Sequence, residues 1–201
     1  MDSESGLTFD RAAHQYAFNG QPVPNVTSVL DTLGFSDLGR VPPDVMEAAR
    51  ARGEDVHYAC ELLDTGQLDY TTVTEEIAGY VMAYEKFKHE YKPVILAIEE
   101  RVYHPVYKFA GTLDRVWHIK GSVDLADLKA GVDQPCHQMQ TAAYRLAWDS
   151  GHPPGLAIKK RHALYLRANG TFDYRAHNGV SDGAAFLAAI QLFYWRNSNN
   201  G

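Results

Sequence analysis

Two consecutive β-patterned runs in the middle of the chain constrain the fold more than any other feature. The first covers about residues 107–119, the second covers about residues 122–130, and Lys120-Gly121 between them is a turn signal. Because the turn is short, the two runs are predicted to pair as antiparallel neighbours in one sheet. A third β-patterned run at 94–102 precedes them. The sequence therefore predicts a three-strand unit at the centre of the protein.

Each run of this pair contains an aspartate, although aspartate is depleted in β-strands. Asp114 ends the segment Gly-Thr-Leu-Asp (111–114), and Asp127 begins the segment Asp-Leu-Lys (127–129). The predicted turn brings both carboxylates to one edge, where they can hold a hard divalent cation through oxygen ligands. Lys129 shares a face with Asp127 because strand side chains alternate. The set predicts a metal site that activates water and neutralises charge on a phosphate.

Each of these residues also has a plainer interpretation. Asp114 could be a strand-end acid paired with Arg115 or a nearby lysine, and Lys129 a surface lysine that covers apolar neighbours. Asp124 competes with Asp127 for the metal, but the two point to opposite faces of the strand. Only Asp127 stands two residues before a lysine. Asp124 is therefore interpreted as a solvated or capping acid.

Helical and hairpin patterns flank the three strands. Helices are predicted over residues 43–64, 74–91, 134–149 and 181–197. Ser181 is the expected N-cap of the last helix. Strands over 161–167 and 171–175 are predicted to pair across the turn Asn169-Gly170.

The N-terminal residues predict a small arm. Residues 7–18 read as a β-hairpin, and Asn19-Gly20 is a turn signal. Thr27-Ser28 are expected to cap a short helix that ends near Gly34. The arm is assigned to residues 1–40.

The order of the central elements predicts the fold class. That order is α-β-β-β-α-β, which indicates an α/β (more strictly α+β) fold with a central mixed sheet flanked by helices. A length of 201 residues with 45% hydrophobic residues suits one domain over 1–201, with its core at 41–201. No run approaches the roughly 18 apolar residues of a membrane helix, and the N-terminus lacks a basic, apolar signal segment. A cytoplasmic protein without a membrane partner is therefore expected.

Charge and cysteine content narrow the classes of ligand. The net charge of −6 argues mildly against nucleic acid, since phosphate contacts need Lys and Arg. Its distribution matters more, because residues 159–162 form a basic run and carboxylates that hold a cation account for part of the acidic excess. A confined nucleic-acid contact remains compatible with this charge. Cys60 and Cys136 have no Cys-x-x-Cys partner, so cysteine alone cannot build a zinc or iron–sulfur site.

Four short motifs, in order, resemble the PD-(D/E)XK nuclease superfamily and, within it, the RecB-like and phage exonuclease branch. They are Arg-Gly-Glu-Asp-Val-His at 52–57, Gly-Thr-Leu-Asp at 111–114, Asp-Leu-Lys at 127–129 and Gln-Thr-Ala-Ala-Tyr at 140–144. The order α-β-β-β-α-β is also the core order of that superfamily. One departure is that Ala130 follows Lys129, where the family often has Thr or Ser.

The resemblance implies a metal site that holds one or two Mg²⁺ or Mn²⁺ ions, and a donor set dominated by oxygen favours such hard cations. The two aspartates are expected ligands, and the resemblance adds a backbone carbonyl, a neutral imidazole and a glutamate. The full set is Asp114, Asp127, the Leu128 carbonyl, His57 and Glu99. In the family, a Glu that is followed by two residues and a Val precedes the Gly-x-x-Asp strand; the segment Glu-Glu-Arg-Val at 99–102 fits this pattern and favours Glu99 over Glu100. The alternative is that the two glutamates are an exposed pair at the end of a strand. A half-buried structural histidine is the alternative for His57.

Catalytic and DNA-contacting roles follow from the same motifs. Asp114, Asp127 and Lys129 are the expected catalytic residues, with the ammonium orienting the attacking water and offsetting developing charge. Gln140 and Tyr144 share a helix face, and the resemblance implies that they help to place the DNA backbone; the alternative is an ordinary tyrosine that packs on the sheet with a glutamine beside it. The expected DNA-binding residues are Gln140, Tyr144, Lys159, Lys160 and Arg161. For the three basic residues, the alternative is a solvated entrance to a strand.

The expected function is therefore that of a Mg²⁺-dependent deoxyribonuclease. The resemblance implies an exonuclease that acts on linear DNA ends in recombination or repair, encoded by a phage and working in a bacterial or phage-infected cytosol. The alternatives are a structure-specific endonuclease and a catalytically silent DNA-binding or inhibitory protein, since fold does not establish function. The expected partner is DNA, with self-association or a recombination protein left open.

Overall fold

A computed structural model describes residues 6–35 and 42–199 of the chain. An N-terminal arm comes first. Its strands pair in the order β1-β2-β3, both pairs are antiparallel, and a short helix α1 follows. These elements are β1 (Leu7–Asp10), β2 (Gln15–Phe18), β3 (Gln21–Val23) and α1 (Val26–Thr32). Asn19 and Gly20 have φ of 50° and 76°, as the predicted tight turn requires. The third strand, β3, was not predicted.

The short helix α1 begins differently from the prediction. Asn25 is its N-cap, and the Asn25 side chain accepts a hydrogen bond from Ser28 N at 2.7 Å. The prediction that Thr27-Ser28 cap this helix is therefore wrong. An Asn side chain placed three residues before an amide satisfies a free N–H of the first turn, as Ser or Thr would.

A five-stranded mixed sheet forms the centre, in the order β4-β5-β6-β7-β8. Its strands are β4 (Val94–His104), β5 (Phe109–Ile119), β6 (Ser122–Lys129), β7 (Lys160–Leu166) and β8 (Phe172–Ala176). Only β6 and β7 are parallel, and this pair needs a crossover, which is the helix α4 (Cys136–Gly151). The predicted mixed sheet and its turn at Lys120-Gly121, with φ of 49° and 80°, are confirmed.

Helices cover both faces of this sheet and make two apolar cores. One core packs α1, α4 and α5 (Asp182–Asn199) against the sheet, and the other packs α2 (Pro43–Asp64) and α3 (Glu75–Tyr91) on the opposite face. The middle strand β6 is consequently buried on both faces, so its two aspartates lie in the interior. No helix in the described ranges is long and apolar enough to cross a membrane.

The size of the indole ring predicts a packing role for each of the three tryptophans, and for one of them this prediction is wrong. Trp117 and Trp148 are buried, one in each core. Trp195 lies on the outer face of α5 and is 66% exposed. Because α5 is apolar nearly all round, its sequence does not mark which face meets the sheet.

Candidate metal centre

A histidine and two carboxylates from three different elements meet beside the central sheet. His57 comes from α2, Glu99 from β4 and Asp114 from β5, and one ligand atom from each lies within 4.8 Å of the other two. His57 Nδ1 is 3.9 Å from Glu99 Oε1 and 3.7 Å from Asp114 Oδ1. One imidazole and two carboxylates form a donor set suited to a divalent cation such as Mg²⁺ or Mn²⁺.

The pairing of β4 with β5 puts the two carboxylates opposite each other. Ile98 pairs with Arg115 and Glu100 with Leu113, so Glu99 faces Asp114 across the ladder. Glu99 has φ of 46°, a left-handed conformation that is uncommon for a residue other than glycine and costs on the order of 1–3 kcal/mol. The structure thus places Glu99 in the cluster. Glu100 instead meets His152 Nε2 at 3.0 Å.

The backbone of Leu128 fixes both the histidine and the aspartate. Leu128 N donates to Asp114 Oδ2 at 2.6 Å, where the registered pairing of β5 with β6 has ended. Leu128 O accepts from His57 Nε2 at 2.9 Å. In the neutral imidazole, this hydrogen bond puts the proton on Nε2 and turns the lone pair of Nδ1 toward the two carboxylates. Three electron-rich groups then face one another, an arrangement that a cation between them stabilises.

The Leu128 carbonyl, which was predicted to be a metal ligand, is bound to a histidine in the structure. The Leu128 carbonyl lies at the cluster as the hydrogen-bond acceptor of His57. Its role as a metal ligand stays a prediction.

The raised pKa of Glu99 also indicates a site for a cation. Burial and then the neighbouring Asp114 raise the pKa of its carboxyl, whereas His57 and Arg115 lower it, and the net result is a pKa raised to about 7. Burial and a like charge both disfavour the ionised carboxylate. A divalent cation would remove this penalty by pairing with both carboxylates, so the three residues fit a metal ion.

Asp127 and Lys129 form an ion pair next to this cluster, not within it. Asp127 is 2% exposed, and its Oδ2 lies 2.7 Å from Lys129 Nζ. Lys129 also donates to Gln140 Oε1 at 3.0 Å, and Gln140 Nε2 donates to the Tyr144 hydroxyl at 3.2 Å. Four of the predicted site residues are thus joined in one chain of contacts. Asp127 as a metal ligand stays a prediction.

Burial and the neighbouring charges have opposite effects on the pKa values of Asp127 and Lys129. Burial raises the pKa of Asp127, although the Lys129 ammonium lowers it. Burial lowers the pKa of Lys129, but Asp127 and Asp114 outweigh that effect, and the pKa is raised overall. The lysine is therefore a cation at neutral pH, beside the carboxylates.

Two residues that sequence reasoning missed hold Glu99 in place. Arg115 has a side chain that is 0% exposed; its Nη1 donates to Glu99 Oε1 at 3.0 Å and its Nε donates to Asp64 Oδ2 at 2.7 Å. The sequence predicts for Arg115 only a possible ion pair with Asp114. The structure shows instead that its guanidinium reaches the backbone carbonyl of Asp114 and the side chain of Glu99.

Asp64 lies at the far end of this network. Its side chain is 0% exposed and also accepts hydrogen bonds from Lys88 Nζ at 2.6 Å and the Tyr84 hydroxyl at 2.7 Å. Asp64 is the last residue of α2, where the helix dipole disfavours a carboxylate. That misfit is the signal in the sequence that a cationic partner holds Asp64.

The basic run splits into two parts. Lys159 and Lys160 are exposed, as expected of residues that contact phosphate. Arg161 is 7% exposed and donates inward to the Gln138 carbonyl and to Asp182, both at 2.8 Å, so it is not part of a solvated strand entrance; its role as a DNA contact stays a prediction. Because side chains alternate along β7, Arg161 points to the face that α4 and α5 cover.

Asp124 lies away from the cluster, on the opposite face of β6 from Asp127. It is 2% exposed and its Oδ2 lies 4.0 Å from His162 Nδ1. It is therefore a buried acid and not the solvated or capping acid that was expected, because both faces of β6 are covered.

Comparison with known proteins adds little to this geometry. No protein-family model matches the sequence, and no curated protein sequence matches it. Among solved structures, the chain is similar to the crystal structure of an alkaline exonuclease from Laribacter hongkongensis. The TM-score is 0.40 and the sequence identity 10%, over 88% of this chain and 93% of that one. A likeness this weak carries no argument about function.

Proposed function

We propose that the protein is a metal-dependent nuclease that hydrolyses phosphodiester bonds in DNA. The observation that carries the proposal is the convergence of His57 Nδ1, Glu99 and Asp114 within 4.8 Å of one another, with the half-buried ammonium of Lys129 alongside. Residues from separate motifs of the sequence meet there. Hard oxygen donors with a neighbouring ammonium suit the hydrolysis of a phosphate ester.

His57, Glu99 and Asp114 are the proposed residues that hold Mg²⁺ or Mn²⁺, with Asp127 and the Leu128 carbonyl as further candidates. A cation bound there would supply positive charge to the scissile phosphate and make water a better nucleophile. The side chains of His57 and Glu99 are each 30% exposed, so one side of the cluster is open to a substrate.

Lys129 is the proposed cationic residue of the reaction. Asp127 and Gln140 hold its ammonium, whose raised pKa keeps it charged. From that position it can orient the attacking water and offset charge on the phosphate oxygens. Gln140 and Tyr144, which are 7% and 5% exposed, are proposed to support the lysine from the interior and through it to help place the DNA backbone, and Lys159 and Lys160 to contact phosphates farther away.

The finer assignment is an exonuclease on linear DNA ends, in recombination or repair and encoded by a phage. Its support is the likeness of the sequence motifs to the RecB-like and phage exonuclease branch. A structure-specific endonuclease would use the same site, and closed circular DNA separates the two. Degradation of linear DNA alone supports the exonuclease, and cutting of closed circles contradicts it.

The test is a nuclease assay on end-labelled linear DNA with MgCl₂ and, in parallel, with EDTA. Asp114→Asn and Lys129→Ala are each expected to lower the rate on the order of 100-fold or more, as loss of a group that stabilises the transition state does. The matched control is Asp124→Asn, which removes a buried carboxylate from the other face of β6 and is expected to keep the activity. Hydrolysis that continues in EDTA, or in both site variants, would contradict the proposal.

A further inference from the structure

The N-terminal arm is anchored beside the candidate metal centre. The hydroxyl of buried Tyr16 on β2 lies 2.7 Å from Thr112 Oγ1 on β5, and Phe18 stacks on Tyr103 of β4 with ring centroids 4.0 Å apart. Farther along, Ala110 N donates to the carbonyl of Pro24 at 2.9 Å. These contacts fix the arm against β4 and β5, the strands that carry Glu99 and Asp114.

The distance from the arm to the cluster is short. Thr112 pairs with Arg101 across β4 and β5. Thr112 precedes Asp114 by two residues, and Arg101 follows Glu99 by two residues. Two residues of strand span about 7 Å. At a rise of about 3.4 Å per nucleotide in a duplex strand, this corresponds to about two nucleotides from a phosphate at the cluster.

The side of the arm next to Arg101 carries a cluster of aromatic rings and a cation. The Phe9 ring lies 4.5 Å from that of Tyr16 and 5.3 Å, edge-on, from that of His14. The guanidinium carbon of exposed Arg101 lies 5.3 Å from the centroid of Phe9. Within residues 6–35 and 42–199, Arg101 forms no ion pair, so its charge is not neutralised by a carboxylate.

Aromatic rings beside a guanidinium suit the binding of a nucleotide. Aromatic rings stack on the faces of bases whatever the sequence, and a guanidinium held on a ring can stack on a base and contact a phosphate. Arg101 also supplies positive charge next to an acidic cluster in a protein whose net charge is −6. A polyanion that approaches the cluster would meet this cation.

We propose that Phe9, His14 and Arg101 form a stacking platform for a base of the substrate strand, about two nucleotides from the scissile phosphate. This platform rests on the proposed function, because it names where the same DNA strand lies. Phe9 supplies the ring surface, His14 its edge, and Arg101 the cation that contacts the adjoining phosphate. The buried Tyr16 positions the arm through Thr112.

The experiment uses oligonucleotides that carry 2-aminopurine in turn at each of the three terminal positions of either strand, mixed with the protein in EDTA. Stacking on Phe9 is expected to change the 2-aminopurine fluorescence at one position, and Phe9→Ala is expected to abolish that change and weaken binding about tenfold. The matched control is Tyr70→Ala, which removes an aromatic ring that is 60% exposed on a different surface.

A series of salt concentrations separates the phosphate contact of Arg101 from the stacking role of Phe9. Arg101→Gln is expected to lower the slope of log affinity against log salt by about one, because one phosphate contact is lost. Phe9→Ala is expected to leave that slope unchanged. Equal fluorescence changes in wild type and Phe9→Ala, or none in wild type, would overturn the platform.

The outcome is distinguishable from failure of the proposed function. A protein that shows the fluorescence change but no Mg²⁺-dependent hydrolysis would be a DNA-binding protein that has the platform and lacks the activity. A protein that hydrolyses DNA with the same KM in wild type and Phe9→Ala would be a nuclease without the platform. Melting curves of both variants establish that they are folded.

Discussion

Replacing Asp64 with Asn tests whether the buried network behind Glu99 stabilises the protein. Asp64 lies between Arg115 and Lys88, 2.7 Å and 2.6 Å from their donor nitrogens. The substitution removes one negative charge and keeps the shape of the side chain. Arg115 would then retain Glu99 as its one ion-pair partner within the described residues.

The expected loss of stability depends on how far the two ion-pair partners of Asp64 are exposed to water. The side chain of Lys88 is 26% exposed, so its ammonium can return to water, whereas the side chain of Arg115 is 0% exposed and cannot. Breaking a buried ion pair by removing one partner costs about 3–5 kcal/mol. A partly exposed pair is worth about 1 kcal/mol or less. We therefore expect Asp64→Asn to lower the free energy of unfolding by about 3–5 kcal/mol.

The assay is urea unfolding at pH 7, followed by circular dichroism. Lys88→Met is the matched control, because it removes the exposed side of the same network, and it is expected to cost about 1 kcal/mol or less. The double variant Asp64→Asn with Arg115→Met measures the coupling between the two buried groups. A loss below about 1 kcal/mol for Asp64→Asn would show that the network is not what stabilises the core here.

The same variant has a functional readout. Residues that orient a metal ligand typically contribute 10–100-fold to metal affinity. With Arg115 released from Asp64, Glu99 loses its orientation, and Mn²⁺ affinity is expected to fall by at least about tenfold. Unchanged Mn²⁺ affinity in folded Asp64→Asn would separate the network from the metal centre.

Three further predictions concern other parts of the chain. Glu99→Gln is expected to weaken Mn²⁺ binding at least about tenfold in calorimetry, whereas Glu100→Gln is expected to leave it unchanged; equal effects would contradict the assignment of the cluster. A Cβ at Gly53 in α2 would meet open space, so Gly53→Ala is expected to stabilise the protein by about 0.5–1 kcal/mol in urea unfolding. A Cβ at Gly79 in α3 would lie 1.7 Å from a backbone carbonyl oxygen, so Gly79→Ala is expected to destabilise the protein by at least about 1–3 kcal/mol in the same assay. Burial lowers the pKa of His162 to about 4, despite a nearby aspartate that raises it, so its neutral form contributes stability above pH 6.5 that is lost as the pH falls toward 4. His162→Phe is expected to flatten this part of the stability profile, and an unchanged slope would refute the assignment.

The central elements could be predicted because their signals are local. The turn residues Asn19-Gly20 and Lys120-Gly121, the alternation of the strands and the helix over 43–64 all depend on neighbours in sequence. For the candidate site, local signals predicted only that Asp114 and Asp127 lie close together, whereas Glu99 and His57 were expected from the resemblance of the motifs. Glu99 and Asp114 belong to adjacent strands, so strand pairing alone brings them together.

What the sequence did not reveal depends on contacts between distant elements. Arg161 looks like part of a basic surface run, yet its partners come from α4 and the start of α5. The ion pair of Arg115 with Asp64 joins residues far apart along the chain. Such pairs leave only indirect signs, for example an aspartate at the C-terminal end of a helix, where the dipole disfavours it.

The most direct test of the metal centre is anomalous diffraction from crystals soaked in MnCl₂. The account predicts an anomalous peak within about 2.5 Å of His57 Nδ1 and of a carboxylate oxygen from both Glu99 and Asp114. In crystals of Asp114→Asn, that peak is expected to be lost or strongly weakened. A manganese peak elsewhere, or none at this cluster in a well-ordered wild-type crystal, would contradict the central claim.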